Sequence, residues 1–379
     1  MKGTKILTRK IHSFIAKDLQ KKIVLLSGPR QTGKTTLAKS LNSKFEYLNF
    51  DSTKDRKIII EESWNREVSL IIFDELHKMK NWKRWLKGIY DTEDNSPAII
   101  VTGSARLDVA KKMGDSLAGR HFLYRLHPLT LRDLKGTDKL EKIFKRLLSQ
   151  GGFPEPYFSK DAHFYEKWKR SHLDIILRQD LLNIENVKRI ADIEMLIQLL
   201  RERVGTLISY QSLAEDLQVD SSTVKRWLLL LENLFVIFRI SPFTRNIPRS
   251  LLKAGKYYFY DSGQVIGDNG AKFENLVANH LLSYLQFEQD TKGRNISLSY
   301  LRNKDGDEVD FAIIENNKIV LMLEAKWSDD SPSKSFLKLC PKGEKPKAVQ
   351  LVAELDREKD YPFGVRIASA INWLSEINF

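Results

Sequence analysis

The stretch that determines the fold lies near the start of the chain and joins an apolar run to a glycine-rich loop. It reads Ile23-Val24-Leu25-Leu26-Ser27-Gly28-Pro29-Arg30-Gln31-Thr32-Gly33-Lys34-Thr35-Thr36. The apolar run predicts a buried strand, and a helical pattern follows the loop. Gly-x-x-x-x-Gly-Lys-Thr between a strand and a helix is the spacing of a phosphate-binding loop, because its backbone N–H groups can surround an anion where the helix begins. We therefore predict that residues 28–36 bind ATP, with Lys34 at the β- and γ-phosphates and the Thr35 hydroxyl on Mg²⁺.

A second acidic element is expected on a neighbouring strand. Residues 70–73 are apolar and run into the carboxylates of Asp74 and Glu75. After a phosphate loop, such a pair predicts that Asp74 holds Mg²⁺ through water and that Glu75 orients the attacking water. The run Asp74-Glu75-Leu76-His77 also spells a D-E-x-H box, so a DEAH-like helicase motor is an alternative. That motor would need a second alternating strand–helix lobe, which the remaining sequence does not indicate.

The next apolar run, residues 98–102, ends in Gly103-Ser104-Ala105-Arg106. A polar side chain at this strand end lies beside the γ-phosphate in a phosphate-loop architecture, which makes Ser104 the candidate γ-phosphate sensor. Arg106 and Arg120 are candidate arginine fingers, since a guanidinium group stabilises charge on the transferred phosphate. The alternative for either arginine is a solvated side chain or an ordinary salt bridge.

Five short β-rich runs alternate with helical patterns in the first third of the chain. They cover residues 23–27, 45–50, 70–73, 98–102 and 121–126. This alternation predicts a mainly parallel α/β sheet. Residues 129–202 are mostly helical in pattern, but the cluster Gly151-Gly152-Phe153-Pro154-Glu155-Pro156 must interrupt them with a loop.

Composition limits the classes of protein that fit this chain. Its 379 residues predict more than one domain, and the lack of a long apolar stretch argues against a membrane partner. Cys340 is the only cysteine, so we expect no disulfide framework, no cysteine-rich zinc site and a cytoplasmic location. Basic residues number 62 against 49 acidic ones. The net charge of +13 favours nucleic acid as a partner, and a charge spread evenly for solubility is the alternative.

A helix-turn-helix pattern covers residues 207–234. A capping serine precedes the first helix, Ser221 or Ser222 can cap the second, and the β-rich run 235–240 follows, which together predict a winged helix. Such modules also serve in packing or in protein interactions, which is the alternative to DNA contact. The candidate nucleic-acid contacts are basic side chains in the second helix and after the wing strand: Lys225, Arg226, Arg245, Arg249 and Lys253.

Carboxylates mark the C-terminal region, where three strand patterns follow a helical pattern over residues 273–287. The strand period of two places Glu324 and Lys326 on one face, with Asp310 on the neighbouring strand and Glu274 on the preceding helix. Asp310 and Glu324 could hold Mg²⁺ at a phosphodiester while Lys326 steadies or deprotonates the attacking water. The alternative is a plain ion pair between Glu324 and Lys326 in an inactive relic.

Two resemblances follow from these motifs. The phosphate loop, Asp74-Glu75, Gly103-Ser104 and Gly151-Gly152-Phe153-Pro154-Glu155, in this order, resemble a prokaryotic family of AAA-type P-loop ATPases fused to a C-terminal domain of uncharacterised function. The order Glu274, Asp310, Glu324-x-Lys326 resembles the restriction-endonuclease-like nucleases, although Glu308-Val309 stands where a proline often does. The resemblances imply an ATPase core over residues 1–135, a helical lid or linker over 136–202, a winged helix over 203–265 and a nuclease-like α/β domain over 266–379.

These patterns predict a multidomain α/β protein with ATP and Mg²⁺ as cofactors. Its expected activity is ATP hydrolysis coupled to action on DNA through the winged helix and the nuclease-like domain. A rival interpretation is a regulatory ATPase switch whose C-terminal domains bind a protein partner, with the nuclease fold inactive. A homo-oligomer is compatible with both interpretations.

Overall fold

The computed structural model describes residues 7–93, 95–104, 117–181, 190–244, 254–340 and 346–378. The predicted site residues Arg106, Arg245 and Arg249, and also Lys253, lie outside the described residues. The chain divides into two compact units. One contains the described residues up to His127 together with Asp290–Lys292, and the other contains Pro128–Gln289 and the residues from Gly293 onward.

A fully parallel five-stranded sheet forms the centre of the first unit. Its strands are β1 (Ile23–Ser27), β2 (Phe45–Asn49), β3 (Leu70–Asp74), β4 (Ala98–Gly103) and β5 (His121–Arg125). They lie in the order β2-β3-β4-β1-β5. Both β1 and β3 are buried along their whole length, as expected for a parallel sheet covered on both faces. The five predicted strands are confirmed, each to within one residue at either end.

Helices and aromatic side chains fix the position of β3. The described helices of this unit are α1 (His12–Asp18), α2 (Lys34–Ser40), α3 (Thr53–Ile60) and α4 (Trp82–Glu93). Phe73 makes edge-to-face contacts with Trp64 and Trp85, with ring centroids 5.4 and 5.7 Å apart. Such pairs add about 0.5–1.5 kcal/mol each beyond burial of their area. The carboxylates that follow Phe73 are therefore held on a well-packed strand.

The chain beyond His127 begins with a largely helical region. The described α-helices of the whole chain beyond His127 are α5 (Leu131–Leu134), α6 (Leu140–Gln150), α7 (Pro154–Ser159), α8 (Ala162–Ile175), α9 (Ile190–Glu202), α10 (Tyr210–Leu217), α11 (Ser221–Asn233), α12 (Asn269–Lys292), α13 (Ser335–Leu339) and α14 (Ala370–Ser375), and α8 continues into a π-helix at Ile176–Leu181. The predicted Gly/Pro loop ends α6 and starts α7. Gly151 there has φ +67°, and a Cβ atom on it would lie 1.9 Å from Asp261 Oδ1, so this position requires glycine.

The helix pair α10 and α11 has the predicted turn between its members. Ser209 caps α10 by accepting a hydrogen bond from the Ser212 N–H at 3.3 Å. The N-cap position of α11 is Asp220, whose side chain makes no capping hydrogen bond. The prediction of Ser221 or Ser222 as the cap was wrong, because both serines lie within the helix. The strands β6 (Ile237–Pro242) and β7 (Lys256–Phe259) follow as an antiparallel pair. The identity of this region as a winged helix stays a prediction.

The second unit also contains an eight-stranded mixed sheet, to which β6 and β7 belong. Its further strands are β8 (Ile296–Arg302), β9 (Glu308–Glu315), β10 (Lys318–Lys326), β11 (Lys347–Val352), β12 (Lys359–Tyr361) and β13 (Val365–Ser369). The order is β12-β13-β11-β10-β9-β8-β6-β7. The predicted strands at β8, β9 and β10 are present, whereas β11 to β13 were not predicted. Because β6 and β7 belong to this sheet, the predicted boundary at residue 265 lies within one compact unit, and the four-domain division stays a prediction.

Candidate functional site

The phosphate loop connects β1 to α2 in a conformation that depends on its glycines. Gly28 has φ +149°, and a Cβ atom on it would lie 2.3 Å from the Leu126 carbonyl oxygen. Gly33 has φ +93° and directly precedes α2. Lys34 is buried, and its ammonium group donates to the carbonyls of Gly28 at 2.9 Å and Pro29 at 2.7 Å. Lys34 therefore closes the loop on itself in this structure.

The buried carboxylate of Asp74, at the end of β3, accepts hydrogen bonds from neutral hydroxyl groups. The Thr35 hydroxyl donates to Oδ2 at 3.0 Å and the Tyr47 hydroxyl donates to the same oxygen at 2.8 Å. The Thr102 hydroxyl, on β4, donates to Oδ1. The predicted metal ligands Thr35 and Asp74, 39 residues apart in sequence, thus lie side by side. Hydroxyl and carboxylate oxygens suit Mg²⁺, so these two residues fit the predicted ion.

Sequence reasoning missed Tyr47 and Thr102 as partners of Asp74. The parallel register pairs Asp74 with Asn49 on one side and with Thr102 on the other. Burial and the hydrogen bond to Asp74 raise the pKa of Tyr47 above its ordinary value, so this hydroxyl stays protonated and remains a donor. A polar residue at the end of an apolar strand was the available signal for Thr102. The strand order that makes it a neighbour of Asp74 is a tertiary property.

Glu75 directly follows Asp74 in sequence, and Ser104 directly follows the adjacent strand β4. Glu75 has φ +56°, a left-handed conformation that costs a non-glycine residue free energy and is frequent at functional sites. Its Oε2 atom lies 3.4 Å from Lys78 Nζ and 3.6 Å from His77 Nε2, and its backbone N–H donates to the Thr102 carbonyl. Ser104 is buried just after β4, which pairs in parallel with β1 where the phosphate loop begins, Ser27 opposite Gly103.

The candidate arginine finger Arg120 is not brought to the phosphate loop of its own chain. It directly precedes β5, at the amino-terminal edge of the sheet, whereas the loop follows the carboxyl end of the parallel strand β1. Its guanidinium group donates to both carboxylate oxygens of Asp91, at 2.6 and 3.1 Å. The structure thus gives Arg120 the salt bridge that was the alternative for it, and its role as an arginine finger stays a prediction.

The candidate nucleic-acid contacts Lys225 and Arg226 are exposed on α11, while the adjacent Trp227 is buried. An open polar pocket of about 650 Å³ lies at the turn between α10 and α11. Its lining includes Glu215 and Asp220, whose charges disfavour a phosphate at the turn itself.

The C-terminal carboxylates converge on a lysine that the sequence did not single out. Lys256, on β7, is buried, and its Nζ atom lies 2.5 Å from Glu308, 3.5 Å from Glu274 and 3.7 Å from Asp310. Burial alone would lower the pKa of Lys256, but the carboxylates of Glu274, Asp310 and Glu308 outweigh burial and raise it. Tyr258 donates to Glu274 at 2.7 Å.

The predicted pair Glu324 and Lys326 forms the other end of this cluster. Lys326 Nζ lies 2.9 Å from Glu324 Oε2, and Ser333 donates to Oε1 at 3.1 Å. Asp310 accepts the Ala325 N–H at 3.0 Å. Burial and the charge of Asp310 raise the pKa of Glu324 to about 7 and that of Glu274 also to about 7. Carboxylates near one another raise each other's pKa in this way.

The residues beside the phosphate loop and the C-terminal carboxylates differ in how well they fit a divalent metal ion. Among the described residues, no group of three or more His, Cys, Asp or Glu side chains is arranged to hold a metal ion. Thr35 and Asp74 do not need such a group, because nucleotide phosphates and water complete the shell of Mg²⁺ in phosphate-loop sites. At the C-terminal cluster an ammonium group already lies against the carboxylates, and the residues there do not fit the implied metal.

Comparison with known protein families gives matches to three successive stretches of the chain. An AAA domain matches residues 20–135, the region of the phosphate loop and Asp74. Two domains of unknown function follow, DUF8612 over residues 141–266 and DUF4143 over residues 269–374. The N-terminal region is therefore P-loop ATPase-like, and its AAA domain suggests nucleotide hydrolysis.

Relatives are found in bacteria and archaea. An uncharacterised protein of Mycobacterium tuberculosis is 27% identical over 245 residues, 64% of this chain and 54% of that protein, so the match spans about half of its length. An uncharacterised protein of Methanocaldococcus jannaschii is 24% identical, covering 85% of this chain and 78% of its own. One of Haemophilus influenzae is 23% identical, covering 79% and 81%. Within the described part of the chain, every helix is too short or too polar to cross a membrane.

Proposed function

We propose that this chain is a Mg²⁺-dependent ATPase that acts on DNA. The observation that carries the proposal is the meeting of Thr35 and Asp74 beside a phosphate loop whose Lys34 donates to backbone carbonyls of the loop itself. The hydroxyl groups that donate to Asp74 orient its carboxylate and carry no positive charge of their own. The AAA domain match over the same residues supports the proposal.

The proposed cycle uses the side chains in the following way. The N–H groups of the loop and of the start of α2 bind the phosphates, and Lys34 exchanges the carbonyls of Gly28 and Pro29 for phosphate oxygens. Mg²⁺ held by Thr35 and Asp74 would neutralise charge on the β- and γ-phosphates. Glu75 orients the attacking water, and Ser104 donates to the γ-phosphate.

DNA is the proposed partner of the second unit. The net charge of +13 and the exposed side chains of Lys225 and Arg226 support an electrostatic contact with the phosphate backbone, to which Arg245 and Arg249 would add. We propose a winged-helix identity for α10, α11 and the β6–β7 pair. We propose a nuclease-like identity for the sheet that carries Asp310, Glu324 and Lys326 on neighbouring strands.

A second candidate is a regulatory ATPase switch that binds a protein partner. It is favoured by the ammonium groups on the C-terminal carboxylates, which argue against phosphodiester cleavage there. A helicase motor is less well supported, because the second unit is built on a mixed sheet rather than on a second parallel lobe.

The test is ATP turnover with and without single-stranded and duplex DNA. Lys34→Ala should weaken ATP binding, and Glu75→Gln should retain binding and stall hydrolysis. Lys54→Ala, at an exposed position on α3, is the matched control and should behave as the wild type. Stimulation by DNA that Lys225→Ala/Arg226→Ala abolishes would favour DNA as the partner. Turnover that is indifferent to every form of DNA would favour the protein-binding switch.

A further inference from the structure

The C-terminal carboxylate cluster contains an inner and an outer lysine. We define the cluster as Glu274 on α12, Glu308 and Asp310 on β9, and Glu324 on β10. The Lys256 side chain is 2% exposed, and it contacts the first three of these carboxylates. Lys326 is 38% exposed and contacts Glu324. Each carboxylate of the cluster therefore already lies against an ammonium group.

The burial of Lys256 makes its charge a fixed part of the structure. Moving an unpaired ammonium group from water into a protein interior is strongly unfavourable, so Lys256 depends on the carboxylates around it. The same carboxylates have further donors that occupy their oxygens: Tyr258 on Glu274, Arg302 on Glu308 at 2.7 Å, and the Ala325 N–H on Asp310. Basic and polar groups thus already contact the carboxylate oxygens that a metal ion would bind.

We infer that Lys256 is the resident cation of this cluster, and that the C-terminal unit engages its partner without a divalent metal ion. The inference rests on the proposed nuclease-like identity, because that identity is the reason to expect a metal ion at this cluster. A divalent ion on Asp310 would meet the ammonium group 3.7 Å from Oδ1, and two positive charges at such a distance repel each other in a partly buried site. Removal of the lysine charge should therefore turn the cluster into a metal site.

The experiment measures Mn²⁺ binding by electron paramagnetic resonance of the free ion, using the full chain without nucleotide. Every protein carries Asp74→Asn, so that the phosphate-loop carboxylate does not contribute. We expect the parent and its Asp310→Asn variant to bind Mn²⁺ equally weakly. Lys256→Met should bind Mn²⁺ at least about tenfold more tightly than the parent, and adding Asp310→Asn should abolish the gain. Lys256→Arg keeps the charge, and Lys318→Met removes an exposed lysine on the same sheet, so both should match the parent.

Two results would overturn the inference. One is Mn²⁺ binding by the parent that Asp310→Asn abolishes, and the other is a folded Lys256→Met protein that binds no more Mn²⁺ than the parent. Circular dichroism establishes whether Lys256→Met is folded. If it is not, the parent and its Asp310→Asn variant decide alone, because the inference requires them to bind Mn²⁺ equally weakly. ATP turnover is not a readout here, so failure of the proposed ATPase function would be seen separately.

Discussion

Asp74 and Asp310 both stand on sheet strands, but the groups that contact their carboxylates differ in charge. Asp74 accepts hydrogen bonds from the hydroxyl groups of Thr35, Tyr47 and Thr102. Asp310 accepts a backbone N–H and lies against the buried ammonium group of Lys256. Neutral donors orient a carboxylate and leave its charge in place, whereas an ammonium group cancels it.

The difference separates a carboxylate prepared for a metal ion from one that has an internal cation. A metal ion gains most where several oxygens are oriented and uncompensated, which describes Asp74 and Thr35. Carboxylates that balance a buried lysine contribute to stability through that lysine, and removing either partner leaves an unpaired buried charge. The two sites should therefore respond in opposite ways to the same kind of substitution.

The largest expected difference is in ATP turnover. Asp74→Asn keeps the shape of the side chain but removes its charge, and we expect turnover to fall about 10²- to 10³-fold. Asp310→Asn, the matched change in the other unit, should leave turnover within about twofold of the wild type because it changes none of the residues assigned to ATP hydrolysis. Steady-state hydrolysis at saturating ATP and Mg²⁺ is the measurement. Equal losses in both variants would contradict the assignment of Asp74 as the Mg²⁺ carboxylate.

The next effect is on stability. Lys256→Met removes the inner cation and leaves like charges together, so we expect the free energy of unfolding to fall by about 3–5 kcal/mol. Adding Glu308→Gln removes one of the stranded charges and should restore part of this loss. Urea unfolding of the single and double variants provides the test. A double variant that is less stable than Lys256→Met would show that Glu308 does not compensate this lysine.

A buried histidine provides the neutral counterpart of Lys256. His280, on α12, accepts the Leu131 N–H at Nε2, and its Nδ1 atom lies 2.8 Å from the Leu276 carbonyl, so the ring is neutral. Burial lowers its pKa to about 4. The unfolded chain therefore takes up a proton at higher pH than the folded one. The stability that depends on neutral His280 is present above about pH 6.5 and is lost as the pH falls toward 4.

We expect this loss to reach about 3 kcal/mol, because each pH unit between the pKa of the unfolded chain and that of the folded one corresponds to roughly 1.4 kcal/mol. His280→Gln offers the same kind of hydrogen bonds without titrating, so its unfolding free energy should rise relative to that of the wild type by about 3 kcal/mol as the pH falls from about 7 to about 4, because the raised pKa values of Glu274 and Glu324 affect both proteins equally. Urea midpoints across this range are the measurement, and Lys256→Arg, which retains its charge, should keep the wild-type slope. The same slope in His280→Gln and the wild type would show that another group is responsible.

Local patterns predicted the first sheet well because its strands are short, apolar and followed by recognisable loops. Residues 70–73 before Asp74 and the glycines around Lys34 each carry their signal within a few positions. The partners of Asp74 were not predictable in this way, because Tyr47 becomes its neighbour only through the strand order β2-β3-β4. Lys256 was missed for the same reason. Nothing in Gly255-Lys256-Tyr257 indicates that this lysine is buried against carboxylates 18, 52 and 54 residues further along.

The smallest expected effect concerns Tyr47, which orients Asp74 without contributing charge. Tyr47→Phe removes one hydroxyl donor from Oδ2 and leaves that of Thr35, so a loss of about 0.5–1.5 kcal/mol is expected. We expect this loss as a rise of about two- to tenfold in the Mg²⁺ concentration for half-maximal ATP turnover, with little change in kcat at saturating Mg²⁺. Tyr90→Phe, which removes a hydroxyl bonded to the Lys21 carbonyl in the same unit, is the matched control. A lower kcat with an unchanged Mg²⁺ requirement would mean that Tyr47 supports the fold of β2 rather than the orientation of Asp74, and the contrast between the two carboxylates would then rest on Thr35 and Thr102 alone.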